Sequence, residues 1–293
     1  MKPAPFTYTA PSTLAEAIAL LVQHGEAAKL LAGGQSLVPM MNFRLARPEY
    51  LVDLNRLQGL DYIREQPEGL VIGAMTRHRA VERSELVRQH YPLLWEATQL
   101  IGHPAIRNRG TVGGSIAHAD PAAELPAVLL AYGGSVLAQG PQGSRAISAA
   151  ELFVTYFTTA LADNEILTEV RLPRWQPGTG WCFLEESRRH GDFAMVGAAA
   201  LVTLDAAQCC THAAVALTGV GGVPYAVPEA ATILIGQTPE ATRIAEVAQA
   251  AAAGVEPEGD IHASAAFRRH LSEVLTRRAL QQALARATPG QPG

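Results

Sequence analysis

The stretch IGHPAIRNRGTVGGSIAHADPAAELP, at residues 101–126, is the most unusual in the sequence and indicates most about the fold. At its centre, paired glycines lie between two hydroxyl side chains, in the motif Thr111, Val112, Gly113, Gly114 and Ser115. Glycine adopts backbone conformations that are closed to other residues and lets the chain approach a ligand closely. Successive backbone N–H groups in such a turn can form an anion-binding nest, and the hydroxyl groups add further donors.

A second motif of similar composition follows a predicted strand at 29–31, and its members are Ala32, Gly33, Gly34, Gln35 and Ser36. Either motif alone is also explained by a plain tight turn. Two such motifs in one predicted domain indicate two walls around one pyrophosphate. The neighbouring Arg107 and Arg109 either add positive potential there, or are solvated loop arginines, or contact a partner.

The standard nucleotide-binding signatures are absent from the sequence. There is no GK[ST] element of a Walker A loop, and no G-x-G-x-x-G opens a helix. The stretch GVGGVP at 219–224 comes nearest, but Pro224 takes the place of the third glycine. A dinucleotide is therefore not expected to bind in the Rossmann manner.

Other patterns that carry chemistry are weaker. His103, His118, Asp120 and Glu124 lie near one another in the sequence, but no HExxH motif accompanies them, and we predict no metal site. The serines lack the G-x-S-x-G motif of a nucleophile elbow. We therefore predict no catalytic residue in this chain.

Composition narrows the functional class. The chain has 293 residues, of which 48% are apolar and 17% charged, and this length predicts two domains. A formal net charge of −4 gives no support for a nucleic-acid partner or a membrane-surface role. The three cysteines are too few and too scattered for a disulfide framework, which favours a reducing compartment. They are also too few for a [2Fe–2S] cluster, which normally takes four thiolates.

The sequence also lacks the features of a membrane or secreted protein. No apolar run reaches the length of about 18 residues that a membrane-spanning helix requires. Pro3, Pro5 and Pro11 interrupt the N-terminal stretch where a signal peptide would have its apolar core. We therefore expect a cytoplasmic protein without a membrane span.

Hydrophobic periodicity and turn residues predict two domains. The first spans 1–173, and the Pro/Gly-rich stretch 174–180 leads to a second at 178–287, where strands followed by helices indicate α+β. The predicted strands are 5–9, 29–31, 50–54, a hairpin at 61–74, 135–139, 144–148, 166–173, 181–188, 194–205 and 211–219. The predicted helices are 13–22, 36–45 (helical or irregular), one capped by Thr76, 84–100 with a break near Pro92, one from Pro121 to about 132, 238–253 and 263–286.

Four stretches together resemble the FAD-binding medium subunits of molybdenum hydroxylases, such as the medium subunit of carbon monoxide dehydrogenase and the flavin domain of xanthine dehydrogenase. The stretches are LLAGGQSLVPMMNFRLARPEYLVDL at 30–54, IRNRGTVGGSIAHADPAAELPAVLL at 106–130, RRHGDFAMV at 188–196 and LTGVG at 217–221. The resemblance runs in order through nearly the whole chain. It implies an α+β fold, with a two-subdomain FAD-binding domain of the vanillyl-alcohol-oxidase (PCMH) type before an α+β C-terminal domain of the CO dehydrogenase flavoprotein type. The two subdomains would lie at about 1–57 and 58–173.

The resemblance also implies roles for single residues. Both glycine motifs would hold the FAD pyrophosphate, Ile101 would pack on the isoalloxazine ring, Glu124 would contact the cofactor, and Leu167 would make an apolar contact with the ring. From the residues alone, Ile101 and Leu167 are equally well explained as core, and Glu124 as a charge that complements a helix dipole.

Two positions depart from the family pattern. Leu184 stands where xanthine dehydrogenase-like chains have a lysine near the flavin, and Arg188 is our candidate substitute. Phe193 stands where several relatives have a tyrosine after the Gly-Asp pair, so a ring is present without a phenol. Both departures bear on the redox properties of the flavin rather than on its binding.

By this resemblance, the chain binds FAD non-covalently and transfers electrons from an iron–sulfur small subunit to an external acceptor. A large subunit with the molybdenum cofactor would hydroxylate the substrate, and the complex would be a dimer of heterotrimers. Two alternatives remain open at this stage. One is a self-sufficient FAD-dependent oxidase or reductase, with a covalent flavin link through a residue such as His103 or His118. The other is a non-catalytic assembly protein.

Overall fold

The computed structural model describes residues 2–288, and its first sheet is small and parallel. The sheet contains β1 (Thr7–Thr9), β2 (Ala28–Leu31) and β3 (Tyr50–Asp53), in the order β1-β3-β2. Two helices alternate with these strands, namely α1 (Leu14–His24) and α2 (Leu37–Asn42). The helix α1 begins at a capping box, in which the amide of Glu16 donates to the Thr13 hydroxyl over 3.2 Å.

The second sheet is antiparallel and has five strands. These strands are β4 (Ile63–Gln66), β5 (Gly69–Gly73), β6 (Ser135–Gly140), β7 (Gly143–Ser148) and β10 (Ile166–Pro173), in the order β4-β5-β10-β6-β7. A small hairpin of β8 (Phe153–Thr155) and β9 (Thr158–Thr159) precedes β10. The helices of this region are α3 (His78–Arg83), α4 (Glu85–His90), α5 (Pro92–Leu100), α6 (Pro104–Arg107), α7 (Val112–His118), α8 (Glu124–Tyr132) and α9 (Ala149–Leu152).

The third sheet is antiparallel and is followed by helices. Its strands are β11 (Gly180–Glu186), β12 (Val196–Leu204), β13 (Cys210–Thr218) and β14 (Tyr225–Ala226), in that order across the sheet. The helices are α10 (Glu229–Leu234), α11 (Ala241–Gly254) and α12 (Ala265–Arg286). The stretch 174–180, where we predicted the domain boundary, connects β10 to β11 and ends at the first residue of β11.

These elements form successive layers. Residues that alternate along the third sheet point to opposite faces, so Phe183 and Leu201 join the core around α5, α7 and α8, whereas Cys182 and Ala200 join the core around α11 and α12. The helix α8 therefore lies between the second and third sheets, and eight of its nine residues are buried. A helix that is apolar all round is typical of such a central layer.

The predicted elements are present in the structure with shifted boundaries, but α6, α7, α9, α10, β8, β9 and β14 were not predicted. The break near Pro92 is confirmed, because α5 begins at this proline. The predicted helix cap at Thr76 is wrong, since α3 begins after Arg77 and the Thr76 hydroxyl instead bonds the backbone of Tyr62 at 3.0 Å. Within residues 2–288, no helix is both long enough and apolar enough to cross a membrane.

Candidate functional site

The structure brings the two glycine motifs into direct contact. A Cβ atom on Gly33 would lie 2.4 Å from the carbonyl oxygen of Arg109 and 2.7 Å from the Cα atom of Gly110. A Cβ atom on Gly114 would lie 3.4 Å from the Cβ atom of Ala32. The backbone of 32–36 thus packs against 109–114 at a distance that only glycine allows at position 33.

The first motif, 32–36, forms an open turn between β2 and α2. Gly34 has φ 72°, and its carbonyl oxygen accepts from the amide of Val38 over 3.1 Å. Within the described residues 2–288, the backbone amides of Gly33, Gly34, Gln35 and Ser36 donate no hydrogen bond. Successive free N–H groups in a turn with a left-handed residue make a concavity that suits an anion.

The second motif, 111–115, is not an open turn but the beginning of α7. The Thr111 side chain caps the helix, because its hydroxyl accepts from the amide of Gly114 over 3.1 Å. The amides of Val112 and Gly113 donate to the carbonyl groups of Thr76 and Ala74, both over 2.9 Å. These amides are therefore occupied, and the motif supports the first turn instead of forming a second nest.

A polar network that the sequence analysis missed holds the open turn in place. The side-chain amide of Asn55 donates to the carbonyl oxygen of Ala32 over 2.9 Å, and Arg77 donates to the Asn55 side-chain oxygen over 2.5 Å. Arg77 also donates to the carbonyl oxygen of Arg109, so it joins both motifs. Asn55 lies two residues after the end of β3, in a short 3-10 turn, and a polar residue just beyond the carboxyl end of a parallel strand was the available signal.

The two arginines between the motifs have different roles. Arg107 is buried, forms an ion pair with Glu82 at 3.0 Å and donates to the carbonyl groups of Ile101 and Gly102, both over 3.0 Å. Arg107 thus secures the end of α5 and is not a solvated arginine. Arg109 is exposed, and its charge lies close to that of Arg77 near the open turn.

Titration behaviour reflects this charge distribution. Burial and then the charge of Arg109 lower the pKa of Arg77, which places the two guanidinium groups close together. Burial opposes a lower pKa at Asp53, but hydrogen bonds from Tyr8 and Asn55 and the charge of Arg109 lower it overall. The turn therefore has two cations and one firmly ionised carboxylate beside it.

A cleft of about 680 Å³ lies just beyond the C-terminal end of α7. It is lined by parts of the stretches 120–122, 156–157, 188–195, 219–221 and 258–262, together with Arg268. The open turn lies beside the beginning of α7 and this cleft follows its end. A helix of seven residues is about 10 Å long, so the open turn and the cleft are separated by roughly the length of α7.

The structure places two of the family-implied positions in the lining of this cleft and a third in a hydrophobic core. Arg188 lines the cleft and is exposed, with Nη1 at 3.2 Å from Nδ1 of His262. Phe193 also lines it, and 63% of this residue is exposed. Leu184 packs against the core formed with α11 and α12, so it contributes apolar contact and no charge.

The two predicted apolar ring contacts lie in the core. Ile101 is the residue that ends α5, and Leu167 is in β10 beside an irregularity in its pairing with β6. Both are buried in the core between the second sheet and the helices that cover it. A contact of Ile101 or Leu167 with a cofactor stays a prediction.

Glu124 is a buried carboxyl group at the beginning of α8. Burial, and then the charge of Glu185, raises the pKa of Glu124 to about 8, and burial raises the pKa of Glu185 to about 7. The Thr218 hydroxyl donates to the carbonyl oxygens of Pro121 (2.6 Å) and Ala123 (2.8 Å), which fixes this helix end on β13. A Glu124 carboxyl that keeps its proton at neutral pH can donate a hydrogen bond.

Comparison with known proteins agrees with this architecture. Residues 4–175 match the family model "FAD binding domain in molybdopterin dehydrogenase", and residues 181–283 match "CO dehydrogenase flavoprotein C-terminal domain". Within the described residues 2–288, no group of side chains is arranged to hold a metal ion.

Relatives match over almost the whole chain. The chain is 45% identical to the 6-hydroxypseudooxynicotine dehydrogenase complex subunit alpha of Paenarthrobacter nicotinovorans, over 99% of this chain and 98% of that one. It is 39% identical to the carbon monoxide dehydrogenase medium chain of Hydrogenophaga pseudoflava, over 98% of this chain and 99% of that one. A solved structure of that organism's carbon monoxide dehydrogenase, lacking the Mo-pyranopterin moiety of its cofactor, contains a chain that superposes with a TM-score of 0.96, at 39% identity and with coverage of 98% and 100%. The chain therefore belongs to the family of FAD-binding medium subunits of molybdenum hydroxylases.

Proposed function

We propose that this chain is the FAD-carrying electron-transfer subunit of a molybdenum hydroxylase. The observation that carries the proposal is the open turn 32–36, whose free amides are held against the capped beginning of α7, with a cleft at the other end of the same helix. This arrangement fits an extended dinucleotide, because the turn suits a pyrophosphate and the cleft has room for a ring system. A Cβ atom at Gly33 would disrupt the turn, so the glycine is part of the fit.

The residues of the chain bind and orient the cofactor. The amides and hydroxyl of 33–36 donate to the pyrophosphate, and Thr111 to Ser115 support them through the contact of Gly114 with Ala32. Asn55 and Arg77 hold the turn in its binding conformation. Bound FAD supplies the redox chemistry, which allows electrons to pass between one-electron and two-electron partners.

Further roles are proposed for residues outside the two glycine motifs. Ile101 and Leu167 lie in the core and not in the lining of the cleft, and they would make the apolar contacts with the isoalloxazine ring that the resemblance implies. Arg188 would add a positive charge at the rim of the cleft. Glu124 keeps a proton and donates a hydrogen bond to the cofactor. No side chain of this chain takes or gives a proton on the hydroxylated substrate, which reacts on another subunit.

The partners follow from the same proposal. Electrons come from an iron–sulfur small subunit, and a large subunit with the molybdenum cofactor carries out substrate hydroxylation. The three free cysteines of this chain are too few for a [2Fe–2S] cluster, which supports a separate iron–sulfur chain. We propose a dimer of heterotrimers in the cytoplasm, where free cysteines persist, and a division of this chain into domains 1–173 and 178–287.

The test is a titration of the purified chain with FAD, followed by acid precipitation. We expect one FAD per chain, and acid should release the yellow chromophore into the supernatant because the link is non-covalent. A yellow pellet would favour a covalent flavoenzyme, and a chain that binds no FAD would favour the assembly-protein alternative. Either result would contradict the proposal.

Asn55→Leu tests the role of the turn itself. The variant loses the hydrogen bonds to Ala32 and Arg77, so we expect FAD to bind about tenfold more weakly. Gln89→Leu is the matched control, because it removes one side-chain hydrogen bond, to Glu85 on the exposed face of α4. Equal FAD affinity for both variants would exclude Asn55 from the site.

A further inference from the structure

Arg268 joins three segments of the chain that line the cleft. It lies in the first turns of α12 and only 8% of it is exposed. Its Nη1 donates to the carbonyl oxygens of Met195 and, over 3.2 Å, of Gly219, and its Nη2 donates to the Asp260 carboxylate over 2.7 Å. Met195, Gly219, Asp260 and Arg268 all line the cleft.

The groups that receive these hydrogen bonds are themselves held in place. Gly219 has φ 76°, and a Cβ atom there would lie 2.3 Å from the carbonyl oxygen of Met195. The two backbone segments therefore approach each other closely, and their carbonyl groups meet at one guanidinium. The planar fork of arginine can donate to several acceptors at fixed angles, which lysine cannot do.

The third acceptor, Asp260, organises the loop before α12. Its carboxylate accepts from the amides of His262 over 2.7 Å and Ala263 over 2.9 Å. The hydrogen bond from the Ala263 amide is the main reason that the pKa of Asp260 is lowered, so this residue stays ionised at neutral pH. Arg268 is thus linked to a carboxylate with a fixed position.

The Nε–H group of Arg268 supports a positional role. This atom is buried and makes no hydrogen bond within the described residues 2–288. A buried donor without an acceptor costs stability and calls for an explanation. Here the guanidinium is oriented so that Nη1 and Nη2 bond to the three segments that line the cleft. This orientation leaves Nε without a partner among the described residues.

We propose that Arg268 is the positioning residue at the redox end of the cofactor site. Its guanidinium fixes the 188–195 loop, the turn at 219–221 and the 258–262 loop relative to one another, and it places a buried positive charge beside the cleft. This inference rests on the proposed function, in which the cleft receives the isoalloxazine ring.

Charge at this position affects the reduced cofactor more than the oxidised one. Uptake of two electrons and one proton leaves one negative charge on the flavin ring, and a nearby cation stabilises that charge. The electrons come from the iron–sulfur subunit in the proposed complex, or from a chemical reductant in the test. Loss of the cation therefore lowers the reduction potential, whereas loss of the neighbouring carboxylate raises it.

The experiment compares the FAD-loaded chain with three variants by potentiometric titration and visible circular dichroism. In Arg268→Gln, we expect the preference for reduced over oxidised FAD to fall about tenfold, which is about 30 mV for a two-electron couple, with a changed flavin spectrum. Arg268→Lys keeps the charge and loses the fork, so the spectrum should change while the potential shifts less. In Asp260→Asn, which keeps the amide contacts, the potential should rise.

Arg277→Gln is the matched control on the same helix. Arg277 also carries a buried Nε without a partner and forms an ion pair, with Glu273, but it does not line the cleft. Its loss should leave potential and spectrum unchanged. Wild-type potential and spectrum in both Arg268→Gln and Asp260→Asn would overturn the inference. If one of these variants does not fold, a wild-type potential and spectrum in the other is sufficient to overturn it. Failure of the wild-type chain to bind FAD would instead overturn the proposed function.

Discussion

At the residue scale, the glycines of the two motifs differ in what they do. Gly33 allows the backbone of its turn to touch the backbone at Arg109 and Gly110, whereas Gly114 lies against the capping hydroxyl of Thr111. The motifs were recognisable in the sequence as paired glycines beside hydroxyl groups. The sequence predicted that the two motifs would form two walls around one ligand. It did not predict which glycine contacts which part of the backbone, because the spacing of residues in the sequence carries no such information.

Gly33→Ala tests this contact. The added Cβ atom would lie 2.4 Å from the Arg109 carbonyl oxygen, so the turn must move away from the second motif. We expect FAD to bind at least tenfold more weakly, as measured by fluorescence titration. Gly133→Ala is the control, because Gly133 has φ 64° and an added Cβ atom would meet no described atom within 4 Å. This substitution should lower stability by about 1 kcal/mol through backbone strain alone, without moving the turn. Similar FAD affinity for the two variants would contradict the proposed contact.

The arginines show why burial is hard to predict from the sequence. Arg107 and Arg109 are two positions apart, and both were expected to be solvated, to face a partner or to face a ligand. Arg107 is buried in an ion pair with Glu82. This partner lies 25 positions away in the sequence, so local patterns did not show that Arg107 would be buried. Arg77 was missed for the same reason, since its acceptor Asn55 lies 22 positions away.

At the scale of the element, α7 depends on interactions outside itself. It has seven residues and two glycines in its first turn, which are poor helix formers. An isolated bridge between Arg77 and Thr111, the Thr111 cap and the buried side chain of Ile116 compensate for this. Local sequence rules favoured a turn here, because they do not include the bridge.

Thr111→Val tests whether this cap supports the cofactor site. The change keeps the shape of the side chain and removes the oxygen that accepts from Gly114, so about 1 kcal/mol of stability should be lost. FAD affinity should fall about fivefold, because Gly114 lies against Ala32. Ser84→Ala removes the equivalent cap of α4 and should lower stability alone. If FAD affinity is equal in both variants, then α7 does not support the open turn.

At the scale of the whole molecule, the two predicted domains share a core. The run ELPAVLLAY correctly predicted the helix α8. This helix is apolar on all sides and not along one stripe, because sheets cover it on both sides. The link is reinforced at Glu96 of α5, which accepts from the amide of Phe183 over 2.7 Å and from Arg286 over 3.0 Å. Such long-range contacts are not readable from local patterns, and they set the position of the cleft.

Two carboxyl groups with raised pKa values lie beside the shared core, namely the buried Glu124 (about 8) and the half-buried Glu185 (about 7). In the unfolded chain each would titrate near 4.5, so between pH 6.5 and 8 the folded state holds protons that the unfolded state has lost. Stability therefore falls as pH rises through this window, by up to about 1.4 kcal/mol per pH unit for each retained proton. Below pH 6.5 the buried His78, with a pKa of about 4, gives a slope of the opposite sign.

Glu185→Gln is the variant that isolates this effect. A neutral amide has no proton to lose, so the FAD-free variant should become more stable than wild type as the pH rises to 8, and its stability should depend less steeply on pH. Urea unfolding of the full chain at pH 6.5, 7, 7.5 and 8 measures both quantities. Glu186→Gln, at an exposed position of the same strand, should keep the wild-type slope. A wild-type slope in Glu185→Gln as well would show that Glu185 holds no extra proton in the folded chain, and the decline in stability would then come from another retained proton, such as that of Glu124.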